Sequence, residues 1–269
     1  YPHYMGWRFA SESRASIINR TLESKSNITI QDMIDLQLNS DNYRAEKWLD
    51  RMLDSTNAHI RNMEENTLPG GISSAMNILQ QWNRKNEARS TAPLLFSLWI
   101  DNVEKVLWYP FLGDIKSDIY RHPDLTVSLE TLFHNYHPEV YDSITGSLPQ
   151  TGKLLTNALI SAVKQHEIMG SDTKWGDVNG STINHLLNIP ALNQPRLQND
   201  GSNESPNAVR KNHGPSWRMV VEMTDPIQAR GVYPGGQTGN PTSSGYNAFI
   251  SDWQQGNHYE LSLYSSWEQ

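Results

Sequence analysis

The stretch VYPGGQTGNPTSSGY, residues Val232–Tyr246, contains four glycines and two prolines within fifteen residues. A glycine-rich loop that cradles phosphate needs a lysine ahead of a serine or threonine, between a strand and a helix. Here Gly239 is followed by Asn240 and Pro241, so the loop lacks that lysine. The composition instead predicts a tight turn between two extended segments.

Short strands are predicted on both sides of this loop. The segment SWRMVVEMTD, residues 216–225, runs into an apolar stretch that is typical of a buried strand, and Arg230–Tyr233 is its predicted partner. A short helix is predicted for Ala248–Gln255 and a last strand for HYELSLYSSW, residues 258–267. Two or three strands do not form an independent sheet, so we expect them to join strands supplied from elsewhere.

The earlier part of the chain is predicted to be helical. Apolar residues recur at three- and four-residue spacings through much of residues 9–164, as on the inner faces of amphipathic helices. Thr29 and Asp32 have the spacing of a capping box. Thr151–Met169 carries another clear amphipathic pattern. We interpret these apolar stripes as core rather than as a cofactor site.

Two more helix signals lie in the middle of this region. A Pro-Gly-Gly sequence at residues 69–71 ends one helical pattern, and Ser73 or Ser74 is the predicted cap of the next helix. The run after Pro93 is apolar on all sides and predicts a long, fully buried helix.

These patterns divide the chain into a mainly helical region, residues 1–169, and a mixed region, residues 170–269, that carries the strands. The predicted fold class is therefore α+β, mainly helical with a few antiparallel strands near the C-terminus. We expect the two regions to form one structural unit of a larger protein.

Composition excludes several function classes. The net charge is −7 and no basic stripe is present, which argues against a nucleic-acid partner. With no cysteine, the chain has no disulfide, no thiolate metal site and no cysteine nucleophile. No apolar run has the length of a membrane span. The mean hydropathy of −0.62 is low for a free-standing globule, so we expect part of the apolar surface to lie against a partner.

Side chains with catalytic potential are present, but no complete catalytic group is recognised. His134 and His137 are spaced as H-x-x-H, whereas helical metal sites favour an i, i+4 pair with a neighbouring glutamate, and Pro138 interrupts a helix there. His213, in HGPSW, is either a general base or a residue that fixes a turn. No G-x-S-x-G nucleophile elbow is found. The residues alone therefore predict no self-contained catalytic group in this chain.

Six blocks of the sequence, taken in order, carry a resemblance to a known family: residues 1–22, 33–53, 75–99, 175–192, 213–226 and 234–264. They resemble the C-terminal half of the β-chain in the penicillin acylase (penicillin amidase) family of N-terminal-nucleophile hydrolases. The Gly-Gly-Gln-Thr-Gly-Asn-Pro part of the glycine-rich loop, residues 235–241, resembles the signature turn of that family, and the resemblance covers nearly the whole chain.

The resemblance implies a four-layer αββα fold in an enzyme that cleaves its own precursor into two chains. It implies that an N-terminal serine attacks an amide carbonyl, with its own α-amine as the base, and that backbone N–H groups and an asparagine stabilise the oxyanion. We expect both the serine and the asparagine to lie upstream, because this sequence begins with Tyr1. The implied partners are the α-chain and the N-terminal part of the β-chain, and the implied substrate is a small N-acyl amide.

The resemblance assigns few residues of this chain to the site. Arg14 matches an arginine that lines the active-site mouth of the family; the alternative is an ion pair at a helix N-terminus. Trp7 and Phe9 lie where relatives place an aromatic side chain of the acyl pocket, and core packing is the alternative for both. Asn179 stands where relatives often have histidine, which leaves His185 without an assigned role.

The remaining expectations also come from the resemblance. No cofactor is required, and calcium is possible in the full enzyme, although Tyr4 and Met5 stand where relatives carry a calcium-binding aspartate. The implied location is the periplasm or the exterior of the cell, with which the absence of cysteine agrees. The expected activity is hydrolysis of a linear amide of β-lactam side-chain or acyl-homoserine lactone type, by the full enzyme and not by this piece alone. The alternative is a non-catalytic helical scaffold or binding module that retains the fold.

Overall fold

The structure is a computed structural model that describes residues 3–4, 10–63, 70–112, 125–134, 151–185, 187 and 189–262. Within these residues the architecture is α+β, as predicted. The helices are α1 (Ser13–Glu23), α2 (Ile30–Gln37), α3 (Tyr43–Arg61), α4 (Ile72–Gln80), α5 (Ala92–Leu112), α6 (Leu125–His134), α7 (Thr151–Met169), α8 (Trp175–Asn179) and α9 (Ile250–Gln255), with a 3₁₀ turn at Pro190–Leu192. The strands are β1 (Arg218–Glu222), β2 (Gln228–Val232) and β3 (Tyr259–Leu261).

The chain forms two compact units. The first contains Tyr1–Tyr43, Lys85–Ser90 and Lys174–Gln269, and the second contains Arg44–Arg84 and Thr91–Thr173. All three strands belong to the first unit. The predicted division of the chain into a helical region, residues 1–169, and a mixed region, residues 170–269, stays a prediction.

The second unit is a helical bundle around an apolar core. The core includes Trp99, which is fully buried and donates a hydrogen bond from its indole N–H to the carbonyl of Leu155, at 2.9 Å. Helices α3 and α7 approach closely at Gly152, because a Cβ atom there would lie 2.4 Å from the carbonyl oxygen of Ser55. None of the helices in the described ranges is both long enough and apolar enough to cross a membrane.

The start of α4 corrects one prediction. The residue that precedes the helix is Gly71, with φ of 87°, and neither Ser73 nor Ser74 caps it, since α4 already begins at Ile72. A positive φ is accessible to glycine at little cost, so Gly71 turns the chain into the helix without a side-chain cap.

The first unit contains a three-stranded antiparallel sheet in the order β1–β2–β3. Arg218 pairs with Val232 and Glu222 with Gln228, while Gly231 pairs with Tyr259 of β3. The prediction of a buried strand at β1 was wrong for one face. Burial alternates along β1, and Met219 is 47% exposed, so one face of the strand is covered and the other is open.

The glycine-rich loop follows β2 and leads into α9, so the prediction of a tight turn between two extended segments was wrong. The loop folds back on itself: Gln237 N–H donates to the carbonyl of Gly245 at 3.1 Å. At Gly236 a Cβ atom would lie only 1.8 Å from that same carbonyl oxygen. The loop therefore needs a residue without a side chain at Gly236, where two backbone segments touch.

Helix α2 begins as predicted. The Thr29 hydroxyl accepts a hydrogen bond from the Asp32 N–H at 3.2 Å, and the Asp32 carboxylate accepts one from the Thr29 N–H at 2.9 Å. This reciprocal pair satisfies backbone N–H groups that a helix start otherwise leaves without a partner.

Candidate functional site

An open cleft of about 520 Å³ in the first unit is lined by Arg14. Arg14 lies in the first turn of α1 and its side chain is exposed. Within the described residues it makes no ion pair, so nothing there supports the alternative of an ion pair at a helix N-terminus. The other lining residues are Gln37, Asn203, Pro206, Ala208, Arg210, His213, Gly214, Pro215, Ser216, Trp217 and Arg218.

A tight backbone turn forms one wall of the cleft. Arg210 and His213 exchange two backbone hydrogen bonds, of 2.9 and 2.8 Å, and the hydroxyl of Ser181 donates to the carbonyl of His213 at 3.0 Å. The backbone of His213 therefore makes the turn. The side chains of Arg210 and His213 are exposed at the cleft.

The buried residue Arg218 forms another part of the lining. It is the first residue of β1, its side chain lies on the covered face of the strand, and it is 3% exposed. Its Nη2 donates to Asn207 Oδ1 at 2.8 Å and its Nη1 donates to the carbonyl of Trp253. The guanidinium lies 5.1 Å from the centroid of the Trp253 ring, within the range of a cation–π contact.

The Arg218 charge is not neutralised by any described residue. Both of its hydrogen-bond acceptors are neutral, and its Nε has no partner among the described residues. Burial lowers the pKa of Arg218 to about 10, which leaves the side chain protonated at neutral pH. Burial also lowers the pKa of nearby His258, and the positive charges of Arg218 and Arg230 lower it further. Among the described residues of the first unit, the positive charge of this buried arginine beside the cleft therefore has no compensating negative charge.

The described residues that line the cleft form no catalytic pair. His213 and Ser216 both line it, but no hydrogen bond joins them in the described part of the chain. A serine nucleophile needs a base within hydrogen-bond reach. Among the described residues, no group of three or more His, Asp or Glu side chains is placed to hold a metal ion.

The other residues singled out from the sequence do not join the cleft. Asn179 has a structural role, because its Nδ2 donates to the carbonyls of Gly201 and Val209, at 3.2 and 3.1 Å. His185 accepts a hydrogen bond at Nδ1 from the N–H of Leu187, at 3.3 Å.

Several of the predicted positions lie outside the described residues. These are Trp7, Phe9 and His137, together with the side chain of His134. The pocket role of Trp7 and Phe9 stays a prediction.

Arg14, which the sequence analysis singled out, lines this cleft, and its role in a site stays a prediction. The sequence analysis did not single out the two other lining arginines, Arg218 and Arg210. The signal for Arg218 was present in SWRMVVE, where Arg218 and Val220 share one face of the strand because side chains alternate. A charged residue on the same strand face as a buried valine is unusual. Arg210 carried no comparable signal, since it lies in a polar loop.

The comparisons with known proteins agree with the fold. The family model for penicillin amidase matches residues 1–267. Among solved structures, the chain is similar to the thermostable penicillin G acylase from Alcaligenes faecalis in orthorhombic form, with a TM-score of 0.61 and 14% sequence identity. The match covers 98% of this chain and 52% of that chain, so this sequence spans about half the length of the solved protein. No significant match is found among curated protein sequences. Because the family model spans nearly every residue, the chain belongs to the penicillin amidase family.

Proposed function

We propose that this chain is the C-terminal part of a hydrolase that cleaves the linear amide bond of an N-acyl compound. The observation that carries the proposal is the match of the penicillin amidase family model over residues 1–267. The nucleophile would be an N-terminal serine of the full enzyme, outside this sequence, activated by its own α-amine. The cleft is consistent with that assignment, since the described residues form no serine–histidine pair there.

In this proposal Arg14 helps to orient the substrate or the oxyanion-stabilising group at the mouth of the active site. Its position supports the role: it is exposed, has no ion-pair partner among the described residues and lines a cleft of the size that small ligands occupy. A positive charge at that position would stabilise negative charge that develops during amide cleavage.

The test is hydrolysis of chromogenic phenylacetyl and long-chain acyl amides by the complete protein. We expect release of the chromophore, and we expect Arg14→Ala to lower kcat/KM by about tenfold or more, in line with the loss of a group that stabilises charge in the transition state. The matched control is Arg20→Ala, on the same helix, whose guanidinium pairs with Asp41 at 2.9 Å. An exposed pair of this kind contributes at most about 1 kcal/mol to stability, so the kinetics of that variant should not change.

Two results would count against the proposal. Unchanged kinetics in Arg14→Ala would remove this residue from the site. A complete protein that neither cleaves its precursor nor hydrolyses any acyl amide would favour the alternative, a scaffold or binding module that keeps the fold.

The open face of β1 supports a further part of the proposal, namely that the rest of the enzyme packs against this sheet. Met219 and Val221 project from that face and are 47% and 39% exposed, and β1 is an edge strand among the described strands. Exposed apolar edge strands are sites where further strands or partners attach.

Val221→Lys should therefore weaken assembly of the complete protein, measured by size-exclusion chromatography. Ile168→Lys, on the exposed end of α7, is the control and should not weaken it.

We also propose that the enzyme is exported to the periplasm or beyond. The family resemblance supports this location, and the absence of cysteine is compatible with an oxidising compartment. Fractionation of cells that express the complete gene tests it; recovery of the mature protein in the cytoplasmic fraction alone would contradict it.

A further inference from the structure

A second cavity in the first unit lies beside the end of helix α9. It has a volume of about 490 Å³. Three segments contribute its lining: residues 87–89, positions within residues 198–207, and the last two residues of α9, together with Leu38. We call it the α9 cavity. None of the described residues lines both this cavity and the cleft that contains Arg14.

Hydrogen bonds connect the three segments of the α9 cavity to one another. The Asp200 carboxylate accepts from the N–H of Ala88, at 2.7 Å. Gln254 Nε2 donates to the carbonyl of Gln198, at 2.9 Å. The buried side chain of Asn207 donates to the carbonyl of Asp200, also at 2.9 Å. The walls are therefore held in place without a ligand, and a pre-formed cavity of this volume is typical of a small-molecule site.

Opposite charges line the α9 cavity without neutralising one another. Arg89 and Asp200 are both exposed in the lining, and neither makes an ion pair with any described residue. Asp200 uses its Oδ1 for the Ala88 N–H, and no described residue donates to its Oδ2. Glu87 adds a second acidic residue to the lining. The cavity therefore offers a guanidinium to an anionic group and a carboxylate to a cationic one.

Amide side chains make up most of the uncharged lining, and none of the described lining residues is aromatic. Gln254 uses its Nε2 for the carbonyl of Gln198, whereas its Oε1 accepts no hydrogen bond from a described residue. A side-chain amide has an acceptor oxygen and an NH₂ donor, so it is complementary to a second amide. This lining favours a polar ligand that forms hydrogen bonds over an apolar one.

We propose that the α9 cavity binds a small zwitterionic amino acid with a side-chain amide, such as glutamine. The α-carboxylate pairs with the Arg89 guanidinium, whose geometry suits two parallel N–H···O bonds. The α-ammonium donates to Asp200, and the side-chain amide donates to Gln254 Oε1. A simple anion or a simple cation would satisfy only one of the two charges. The inference does not depend on amide hydrolysis, because it is tested by binding.

The experiment is isothermal titration calorimetry of the full-length protein with L-glutamine and two analogues. Glutaramate lacks the α-ammonium, and γ-aminobutyramide lacks the α-carboxylate. We expect L-glutamine to bind about fivefold to tenfold more tightly than either analogue, because each analogue loses one charge-assisted hydrogen bond.

Two variants test which residue recognises which charge. Asp200→Asn keeps an oxygen that can accept from the Ala88 N–H, so we expect it to fold. It should bind L-glutamine and glutaramate with nearly equal affinity, because it no longer attracts the ammonium. Arg89→Gln, at an exposed position, should bind L-glutamine and γ-aminobutyramide with nearly equal affinity. Such non-additivity is expected when the residue and the ligand group contact each other. Thermal unfolding checks that both variants are folded.

Asp172→Asn is the control, since Asp172 is exposed, belongs to the second unit and does not line the cavity. Its affinity for L-glutamine should be unchanged, and so should that of Arg14→Ala. No binding of L-glutamine, or equal binding of L-glutamine and both analogues, would overturn the proposal. Weaker binding in Arg14→Ala but not in Arg89→Gln would place the ligand in the other cleft, and the proposal would be wrong. Tighter binding of glucose than of L-glutamine would overturn the choice of an amino acid.

Discussion

Arg218 and Trp253 contact each other twice: the Arg218 guanidinium lies over the Trp253 ring, 5.1 Å from its centroid, and donates to the Trp253 carbonyl. The Trp253 indole N–H in turn donates to the carbonyl of Pro215, at 2.9 Å. These contacts fix the start of β1 and helix α9 against the wall of the cleft. A single buried arginine thus joins elements that are 35 residues apart in the sequence.

The first prediction concerns the planar guanidinium of Arg218 and its two hydrogen bonds. Arg218→Lys keeps the positive charge but cannot reach Asn207 Oδ1 and the Trp253 carbonyl from one planar group. We expect a loss of about 2 kcal/mol in the free energy of unfolding, because buried acceptors lose their donor. Urea unfolding measures it. Arg230→Lys, on β2, is the control and should change stability by less than about 0.5 kcal/mol; equal losses in the two variants would contradict a special role for Arg218.

The second prediction concerns the glycine-rich loop. Gly236→Ala would place a Cβ atom 1.8 Å from the carbonyl oxygen of Gly245, so one of the two backbone segments must move. We expect destabilisation of about 1 to 3 kcal/mol, as for other overpacked sites. Gly239→Ala, in the same loop, meets no atom within 4 Å and should be nearly neutral. If thermal unfolding gives the two variants the same midpoint, the loop does not close as the structure has it.

Local signals in the sequence predicted local structure well. The capping box at Thr29 and the amphipathic pattern of Thr151–Met169 both correspond to helices with the predicted starts. These features depend on residues within a few positions of one another, so a single sequence contains the information.

Long-range features were not predictable in the same way. The pattern in SWRMVVE predicts a strand, but which face is covered depends on packing against distant elements. The predicted buried strand β1 is covered on one face only. The turn made by Gly236 also depends on Gly245, nine residues later. The cleft brings Arg14 together with Arg210 and Arg218, about 200 residues further along the chain, and no local spacing encodes that meeting.

The third prediction separates the two proposed helix caps. Thr29→Ala removes the hydroxyl that accepts from the Asp32 N–H, and we expect it to cost about 1 kcal/mol of stability. Ser73→Ala should cost nothing measurable, because Ser73 lies inside α4 and Gly71 precedes the helix. Urea unfolding of both variants checks this. A larger loss for Ser73→Ala than for Thr29→Ala would show that the cap of α4 is assigned to the wrong residue.

The last prediction concerns the loss of folding stability at acidic pH when Asp32 is protonated. The Lys25 ammonium, and after it the N–H and hydroxyl of Thr29, lower the pKa of Asp32 to about 2. The unfolded chain, with the ordinary value of 3.8, therefore takes up the proton first as the pH falls. The stabilisation by the Asp32 carboxylate is thus complete above about pH 5 and decreases from about pH 4 towards about pH 2.

Asp32→Asn should be less stable than the parent protein at pH 7, and the difference should shrink over that acid range in paired thermal unfolding curves. Lys25→Met removes the largest cause of the shift, so the acid-dependent loss should become smaller and should be complete at a higher pH. A difference between the parent protein and Asp32→Asn that stays constant from pH 7 to about pH 2 would mean that Asp32 titrates alike in the folded and unfolded chains, because only a change in pKa on folding makes its contribution depend on pH.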